Sequence, residues 1–461
     1  MTLIKSISGI RGTIGGKPGD ALTPIDVVRY AAAFGTLILF RKGKKVVIGR
    51  DARISGEMVS SLVCSTLQGL GLDVIDLGLS TTPTVEIAVV MEKAHGGIIL
   101  TASHNPIQWN ALKLLNDRGE FISAADGATV LSLAASEQFN FAEVTKLGKY
   151  TQRTDYISKH IKLILRHKLV DVKAIRKAGF SIVVDAVNST GGFAVPELLK
   201  ALGVRKVKKM FCDPTGKFPH NPEPLPENIT AICKEVKRGK HDLGIVVDPD
   251  VDRLALVQED GRPFGEEYTL VAIADYVLSR RKGNTVSNLS STRALRDVTE
   301  KAGGSYRAAA VGEVNVVTAM KDTKAVIGGE GNGGIIVPDL HYGRDALIGI
   351  ALFLTHLARS KKKASALRSS YPSYFISKNK IDLAAGINVD NILEGVRKKY
   401  QHEKVNTSDG VKIDFEREKE WIHLRKSNTE PIIRIYAEAK DEAKASALAA
   451  RVMRDISELA G

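Results

Sequence analysis

Short β-branched runs alternate with stretches whose apolar residues recur at helical spacing, and the pattern repeats three times. The first copy is Val46-Val47-Ile48, a loop at Gly49-Arg50-Asp51, a helix ending near Gly69 and Gly71, then Val74-Ile75. The second is Ile182-Val183-Val184, a loop around Asn188 to Gly192, a helix ending at Gly203, then Val204 to Val207. The third is Thr285-Val286-Ser287, the loop Ser290-Ser291-Thr292, a helix ending near Gly303, then Tyr306 onward. Strand, crossover helix and strand of this length form a βαβ unit, so the pattern predicts three α/β layers with largely parallel sheets. The C-terminal stretch differs. Trp421 to Leu424 and Ile432 to Tyr436 read as strands flanking a polar loop, and a helix entered near Asp441 carries the stripe Leu448, Val452, Ile456 and Leu459. That is a smaller α+β domain. Ser369 to Pro372, after the Lys361 to Lys363 run, reads as the hinge before it. The expected domains are 1–150, 151–258, 259–370 and 371–461.

Size and composition narrow the class. The 461 residues match two to four domains of roughly 100–200 residues each. A chain 44% hydrophobic and 26% charged is an ordinary globular protein, which excludes a disordered one. No apolar run approaches the ~20 residues that cross a bilayer, and Met1 to Ser6 lacks a hydrophobic signal core. Cys64, Cys212 and Cys233 form no CxxC pair, so a reduced cytoplasm is the expected compartment. The formal charge of +14 raises nucleic acid as a partner. The basic clusters Arg41 to Lys45, Arg205 to Lys209, Lys361 to Lys363 and Arg397 to Lys399 are short, scattered and without interleaved aromatics. That argues against a stacking platform and leaves a merely solvated surface or a field that gathers small anions.

Four segments carry chemistry. Gly97-Ile98-Ile99-Leu100 reads as a buried strand delivering Thr101-Ala102-Ser103-His104-Asn105-Pro106 to a loop, where α/β sheets bind ligands. A serine there can act as a covalent carrier if it is activated. Asp248-Pro249-Asp250-Val251-Asp252-Arg253 follows the apolar run Leu243 to Val247. Its carboxylates at alternating positions share one direction if the backbone stays extended, and a hard divalent cation, Mg²⁺ or Mn²⁺, relieves their repulsion. No His/Cys cluster is apparent to compete for the metal. Arg253 adds a cation suited to a phosphate. Gly328 to Gly334 reads as a flexible loop with Glu330 and Asn332, fit for close approach to sugar hydroxyls. It satisfies G-x-G-x-x-G, but an extended Ile335-Ile336-Val337-Pro338 follows instead of a helix, so it is no dinucleotide site. Arg425-Lys426-Ser427-Asn428-Thr429-Glu430-Pro431 with Arg434 offers two arginines, hydroxyls and backbone N–H groups as a phosphate cradle.

In this order, and together with Ser8-Gly9-Ile10-Arg11-Gly12 and Gly49 to Gly56, these segments resemble the α-D-phosphohexomutase family over essentially the whole chain. The resemblance implies four domains around a central cleft, each contributing one loop. It implies that Ser103 is phosphorylated at rest. Asp248, Asp250 and Asp252 then hold one Mg²⁺ together with a phosphoryl oxygen on Ser103. Glu330 and Asn332 lie where the family reads sugar hydroxyls. Arg425, Ser427, Asn428, Thr429 and Arg434 lie where it holds the non-reacting phosphate. Arg11 and Lys113 fall near the transferring phosphoryl, and His104 falls in the serine loop. The implied partners are hexose or hexosamine monophosphates, with a hexose bisphosphate as activator and intermediate.

The chain departs from glucose- and mannose-type members in two places. Their sugar loop reads GE-x-S-G-H and follows a V-G-H motif, whereas this chain has Asn332 and Gly334 in the loop and Val311-Gly312-Glu313 upstream. Both histidines are missing, so Lys113 becomes the proton-transfer candidate. Glu313 can attract the ammonium of an amino sugar. The GEGNGG form resembles phosphoglucosamine mutases of the archaeal type. The expected reaction is interconversion of glucosamine 6-phosphate and glucosamine 1-phosphate, with a phosphoglucomutase/phosphomannomutase of broader specificity as the alternative.

Overall fold

The computed structural model describes residues 1–6, 9–382, 388–426 and 432–460. The chain forms two compact units, Met1–Thr269 with Asn332–Leu367, and Leu270–Gly331 with Arg368–Gly461.

In the first unit, a seven-stranded sheet runs Ile4–Ser6, Gly9–Thr13, Trp109–Leu115, Gly96–Leu100, Lys45–Arg50, Asp73–Leu79 and Tyr150–Gln152. The last four of these strands are parallel, and the rest pair antiparallel. Helices Pro24–Phe40 and Gly56–Gly69 bury Val27, Phe34 and Ile38 with Val59, Val63 and Leu67 in one core. Local signals start the first helix. Thr23 caps it, proline occupies its first position, and Asp26 bonds back to complete a capping box. The strand Gly96–Leu100 is buried along its whole length. It lies inside the sheet, so a continuous apolar run suits it.

A second sheet of the same unit runs Leu254–Gln258, Leu243–Val247, Ser181–Asp185 and Lys206–Met210. Its strand Leu243–Val247 is again wholly buried and ends one residue before Asp248. Both chemical loops therefore leave the carboxyl ends of inner strands.

In the second unit, Tyr306–Ala309, Thr285–Asn288 and Ile327–Glu330 pair in parallel in that order. A separate five-stranded antiparallel sheet runs Phe375–Asp382, Ile432–Ala439, Glu420–Lys426, Val411–Phe415 and Lys404–Asn406. Helices Val389–Lys399 and Glu442–Ala460 supply Ile392, Val396, Leu448, Val452 and Ile456 to its core. The architecture is thus three α/β layers plus a smaller C-terminal α+β layer. Among the described residues no helix is long and apolar enough to cross a membrane.

Several details differ from the sequence expectation. Gly49 and Arg50 belong to the strand Lys45–Arg50, where Arg50 pairs with Leu100, so the loop begins at Asp51. Gly328, Gly329 and Glu330 likewise close a strand, leaving Gly331 to Gly333 as the turn. Leu459 is 44% exposed and drops out of the helical stripe, lying at the edge of the core beside Gly395.

Candidate active site

Ser103 sits where the inner strand ends. Its backbone is left-handed, with φ +48°, and its N–H donates to Thr101 Oγ1 at 2.9 Å. A non-glycine residue at positive φ carries backbone strain that its surroundings must hold. Arg53 does this. Its guanidinium is fully buried and donates to the carbonyls of Ser103, Asn105, Pro106 and Trp109 at 2.5, 2.7, 2.7 and 2.9 Å. Asp51 orients it with a 3.1 Å contact to Nε, and Thr101 Oγ1 donates to the same carboxylate oxygen at 2.7 Å. One ion pair therefore fixes the path of the serine loop.

The acidic loop is not extended as expected. Val251 N–H donates to the Asp248 carbonyl at 3.1 Å, and Val251 has φ +63°. The tight turn nevertheless brings one oxygen from each of Asp248, Asp250 and Asp252 within 4.8 Å of the others. All three residues are fully buried. Ser103 Oγ donates to Asp248 Oδ2 at 2.8 Å, so the two loops meet. The backbone N–H groups of Asp252 and Arg253 occupy Asp248 Oδ1 at 3.2 Å each. Asp250 Oδ2 accepts from Lys113 Nζ at 2.8 Å and from Thr82 Oγ1 at 2.6 Å. Asp252 Oδ2 accepts from Arg344 at 2.6 Å.

Asp250 Oδ1 and Asp252 Oδ1 are buried and receive no hydrogen bond. Two bare carboxylate oxygens inside a protein are costly unless a cation meets them. Burial, then repulsion from Asp252 and Asp250, pushes the Asp248 carboxyl well above the ordinary range. Burial also raises Asp250, but Lys113 outweighs it and holds that carboxyl below the ordinary range. An all-oxygen donor set of three converging carboxylates fits Mg²⁺ or Mn²⁺.

The remaining cations surround this point. Lys113 is held protonated, since Asp250 and Asp252 outweigh its burial. Arg11 pairs across the sheet with Ala111, two residues before Lys113, so Arg11 and Lys113 share one face. Arg253 contacts Glu223 at 3.1 Å. His104 Nδ1 is 3.4 Å from Ser103 Oγ, and its Nε2 is 3.8 Å from Glu223. Burial, with Arg253, Arg344 and Lys113 nearby, keeps His104 neutral.

Asn332 also belongs to this unit. Its Oδ1 accepts from the Gly334 N–H at 3.2 Å and so braces its own turn. Gly333 is required there. Its φ is +86°, and a Cβ would meet the Leu254 carbonyl at 2.4 Å.

The second unit gathers the other candidates. Glu330 Oε1 accepts from Asn288 Nδ2 at 2.8 Å and from the Gly312 N–H at 3.1 Å. Glu313 opens the helix Glu313–Thr323 beside Gly312 and is 8% exposed. Asp409 ties this loop to the C-terminal sheet, accepting from the Val311 N–H at 2.9 Å and pairing with Arg425 at 2.9 Å. Arg425 and Arg434 are direct cross-strand partners, and Lys380 faces Arg434 on the next strand. Three cations thus sit side by side on one face. Ser427, Asn428 and Thr429 lie outside the described residues, as does Ser8.

The structure brings in residues to which the sequence assigned no role of their own: Asp51, Arg53, Thr82, Glu223 and Arg344. Only Asp51 and Arg53 left a signal, as a charged pair two residues apart directly after a buried strand. The structure also brings His160, His341 and Asp345 together in the first unit, and His160 is too far in sequence from the other two for the three to form a motif.

Four family models match in order: the phosphoglucomutase/phosphomannomutase alpha/beta/alpha domains I, II and III at residues 3–141, 155–261 and 265–374, and the C-terminal domain at 380–455. The chain is 37% identical to a phosphoglucomutase/phosphomannomutase of Thermococcus kodakarensis, covering 94% of this chain and 95% of the relative. It is 33% identical to a phosphoglucosamine/phosphogalactosamine mutase of Sulfurisphaera tokodaii, covering 94% of each. A crystal structure of a phosphoglucomutase/phosphomannomutase family protein from Burkholderia thailandensis superposes with a TM-score of 0.86 at 26% identity, over 99% of this chain and 98% of that one.

Proposed function

The chain belongs to the phosphoglucomutase/phosphomannomutase family, and from that premise we propose that it interconverts glucosamine 6-phosphate and glucosamine 1-phosphate with Ser103 as phosphoryl carrier. Its phosphohexomutase activity makes it an isomerase that works by phosphoryl transfer. The observation that carries the Ser103 reading is the 2.8 Å contact between Ser103 Oγ and Asp248, beside two carboxylate oxygens without hydrogen bonds.

Asp248, Asp250 and Asp252 would hold Mg²⁺, which when bound neutralises phosphoryl charge and aligns the group for transfer. Phosphoryl transfer needs positioning and charge neutralisation more than new covalent machinery. Ser103 is held by Arg53, and Lys113, Arg11 and Arg253 add positive charge. In the forward step, the bond from phosphorus to Ser103 Oγ breaks and a bond to the sugar's free hydroxyl forms. The hydroxyl loses its proton, and Ser103 Oγ gains one. Lys113, as an ammonium, is the candidate donor to Ser103 Oγ, and the amine it leaves takes up the proton of the hydroxyl, so that no proton is gained or lost overall. The product is a hexose bisphosphate. Its other phosphoryl returns to Ser103 after the sugar turns over. Arg425 and Arg434, with Ser427, Asn428 and Thr429, hold the phosphate that is not reacting.

Glu313 supports the amino-sugar preference. It stands beside Gly312 where glucose- and mannose-type members carry the histidine of V-G-H, and a carboxylate attracts a sugar ammonium. The broader hexose specificity is the second reading, favoured by the name of the Thermococcus kodakarensis relative. The test is kcat/KM for glucosamine, glucose and mannose phosphates side by side, in wild type and Glu313→Gln. A clear preference for the amino sugar that Glu313→Gln erodes supports the proposal. A preference unchanged by Glu313→Gln removes the charge argument. Equal use of the three sugars makes the chain a general phosphohexomutase.

A further inference from the structure

Apart from the serine and acidic loops, the first unit gathers another set of ligand-type side chains. His160 comes from the helix Tyr156–Arg166, and Asp345 caps the helix Ala346–Ser360. His341 lies four residues before Asp345. Thr84 and Glu86 come from the helix Thr82–Met91. His160 and Asp345 are fully buried, Glu86 is 1% exposed, and the His341 side chain is 10% exposed.

Three atoms converge. His160 Nε2 is 3.0 Å and His341 Nε2 is 3.3 Å from Asp345 Oδ2, and one ligand atom from each residue lies within 4.8 Å of the others. Ligands about 2.0–2.1 Å from a tetrahedral zinc stand roughly 3.3–3.4 Å apart, so the two nitrogen–oxygen edges have the right scale. Asp345 Oδ1 is already occupied by the N–H groups of Leu347 and Ile348 at 2.8 and 3.3 Å. Its Oδ2 is the oxygen turned to both rings.

The far nitrogens of the two imidazoles are also engaged. His160 Nδ1 is 3.0 Å from Thr84 Oγ1, and His341 Nδ1 is 3.1 Å from Glu86 Oε2. A metal-binding histidine commonly donates its other ring N–H to such an acceptor, which fixes tautomer and orientation. Both rings here have that support in place.

Asp345 and Glu86 set two carboxylates against the two rings, and this mixed set of imidazole nitrogen and carboxylate oxygen suits a divalent cation.

We propose that His160, His341 and Asp345 bind a zinc-class divalent cation, distinct from the Asp248 triad, with Thr84 and Glu86 orienting the two rings. A water completes the coordination. Two imidazoles favour Zn²⁺ or Co²⁺ over Mg²⁺. The placement gives the ion a role. Thr82, on the helix of Thr84 and Glu86, bonds Asp250, and Arg344, next to Asp345, bonds Asp252. The ion therefore locks two supports of the acidic loop.

The experiment titrates full-length protein, saturated with Mg²⁺, with Co²⁺ and reads the visible absorption of four-coordinate cobalt. The expected result is an intense band that saturates near one equivalent, is bleached by Zn²⁺, persists in Asp248→Asn and disappears in His341→Gln. Glu86→Gln keeps all three ligands and is expected to weaken Co²⁺ binding about 10–100-fold. It decides the matter if His341→Gln does not fold. No band in the wild type overturns the proposal, and the cluster is then a protonated histidine held between carboxylates. A band lost in Asp248→Asn, or Co²⁺ affinity unchanged in Glu86→Gln, overturns it as well.

Discussion

Replacing Arg53 with methionine tests how the serine loop is held. The substitution keeps most of the side-chain length and removes the charge and all donors. Arg53 pairs with Asp51 and donates to four loop carbonyls, all within 2.5–3.1 Å and with a side chain that has no exposure. Breaking a buried ion pair from one side costs about 3–5 kcal/mol. Burial has already raised the Asp51 pKa, so Asp51 can take up a proton once Arg53 is gone, which keeps the cost inside that range. The carbonyls lose donors too, at about 1 kcal/mol each if water cannot replace them, and these terms do not simply add. At about 2–4 °C per kcal/mol, Arg53→Met lowers the melting temperature of the first unit by roughly 6–20 °C. Turnover falls further than stability explains, because Ser103 loses the constraint that keeps φ at +48°. Differential scanning fluorimetry and kcat at a temperature where the variant is folded give both numbers. Arg53→Lys restores the charge but not the fork, so it recovers stability only in part. A methionine variant that melts within 2 °C of wild type and keeps full kcat would falsify this account of the loop.

Three other outcomes follow from particular contacts. Burial raises the Glu438 pKa from 4.5 to about 7. Between those values the folded state binds the extra proton, so stability falls as pH rises, by up to about 3 kcal/mol. Glu438→Gln keeps the acceptor for Arg293 N–H and Trp421 Nε1 and should flatten melting temperature between pH 5 and 8. Thr82→Val removes the 2.6 Å bond to Asp250 and should raise the Mg²⁺ concentration for half-maximal activity about 10–100-fold, with melting little changed. Gly333→Ala should cost more than about 1 kcal/mol in urea unfolding, since its Cβ lands 2.4 Å from the Leu254 carbonyl at φ +86°. A neutral Gly333→Ala would show that this turn gives way.

The layers were legible because βαβ units impose local periodicity. Buried inner strands such as Gly96–Leu100 and Leu243–Val247 read as continuous apolar runs, and the loops that follow them held Ser103 and the aspartates. The direction of the acidic loop was not legible. An alternating Asp-x-Asp-x-Asp looks extended, but Val251 turns left-handed and the carboxylates converge by turning instead. The supports were invisible for a different reason. Thr82 lies 168 residues from Asp250, Arg344 lies 92 from Asp252, and His160 lies 185 from Asp345. No local pattern encodes such pairs. Leu459 shows the converse, a position with correct helical spacing that falls beyond the end of the core.

The proposed mechanism turns on Ser103 carrying the phosphoryl group between substrate and product. It is tested most directly by incubating the protein with Mg²⁺ and a hexose 1,6-bisphosphate labelled in both phosphates, then mapping the label by peptide mass spectrometry and adding unlabelled glucosamine 6-phosphate. The expected result is one phosphoryl group on the peptide containing Ser103, none in Ser103→Ala, and transfer of the label to the added sugar. Label on another residue, or label released as inorganic phosphate without reaching the sugar, would contradict it.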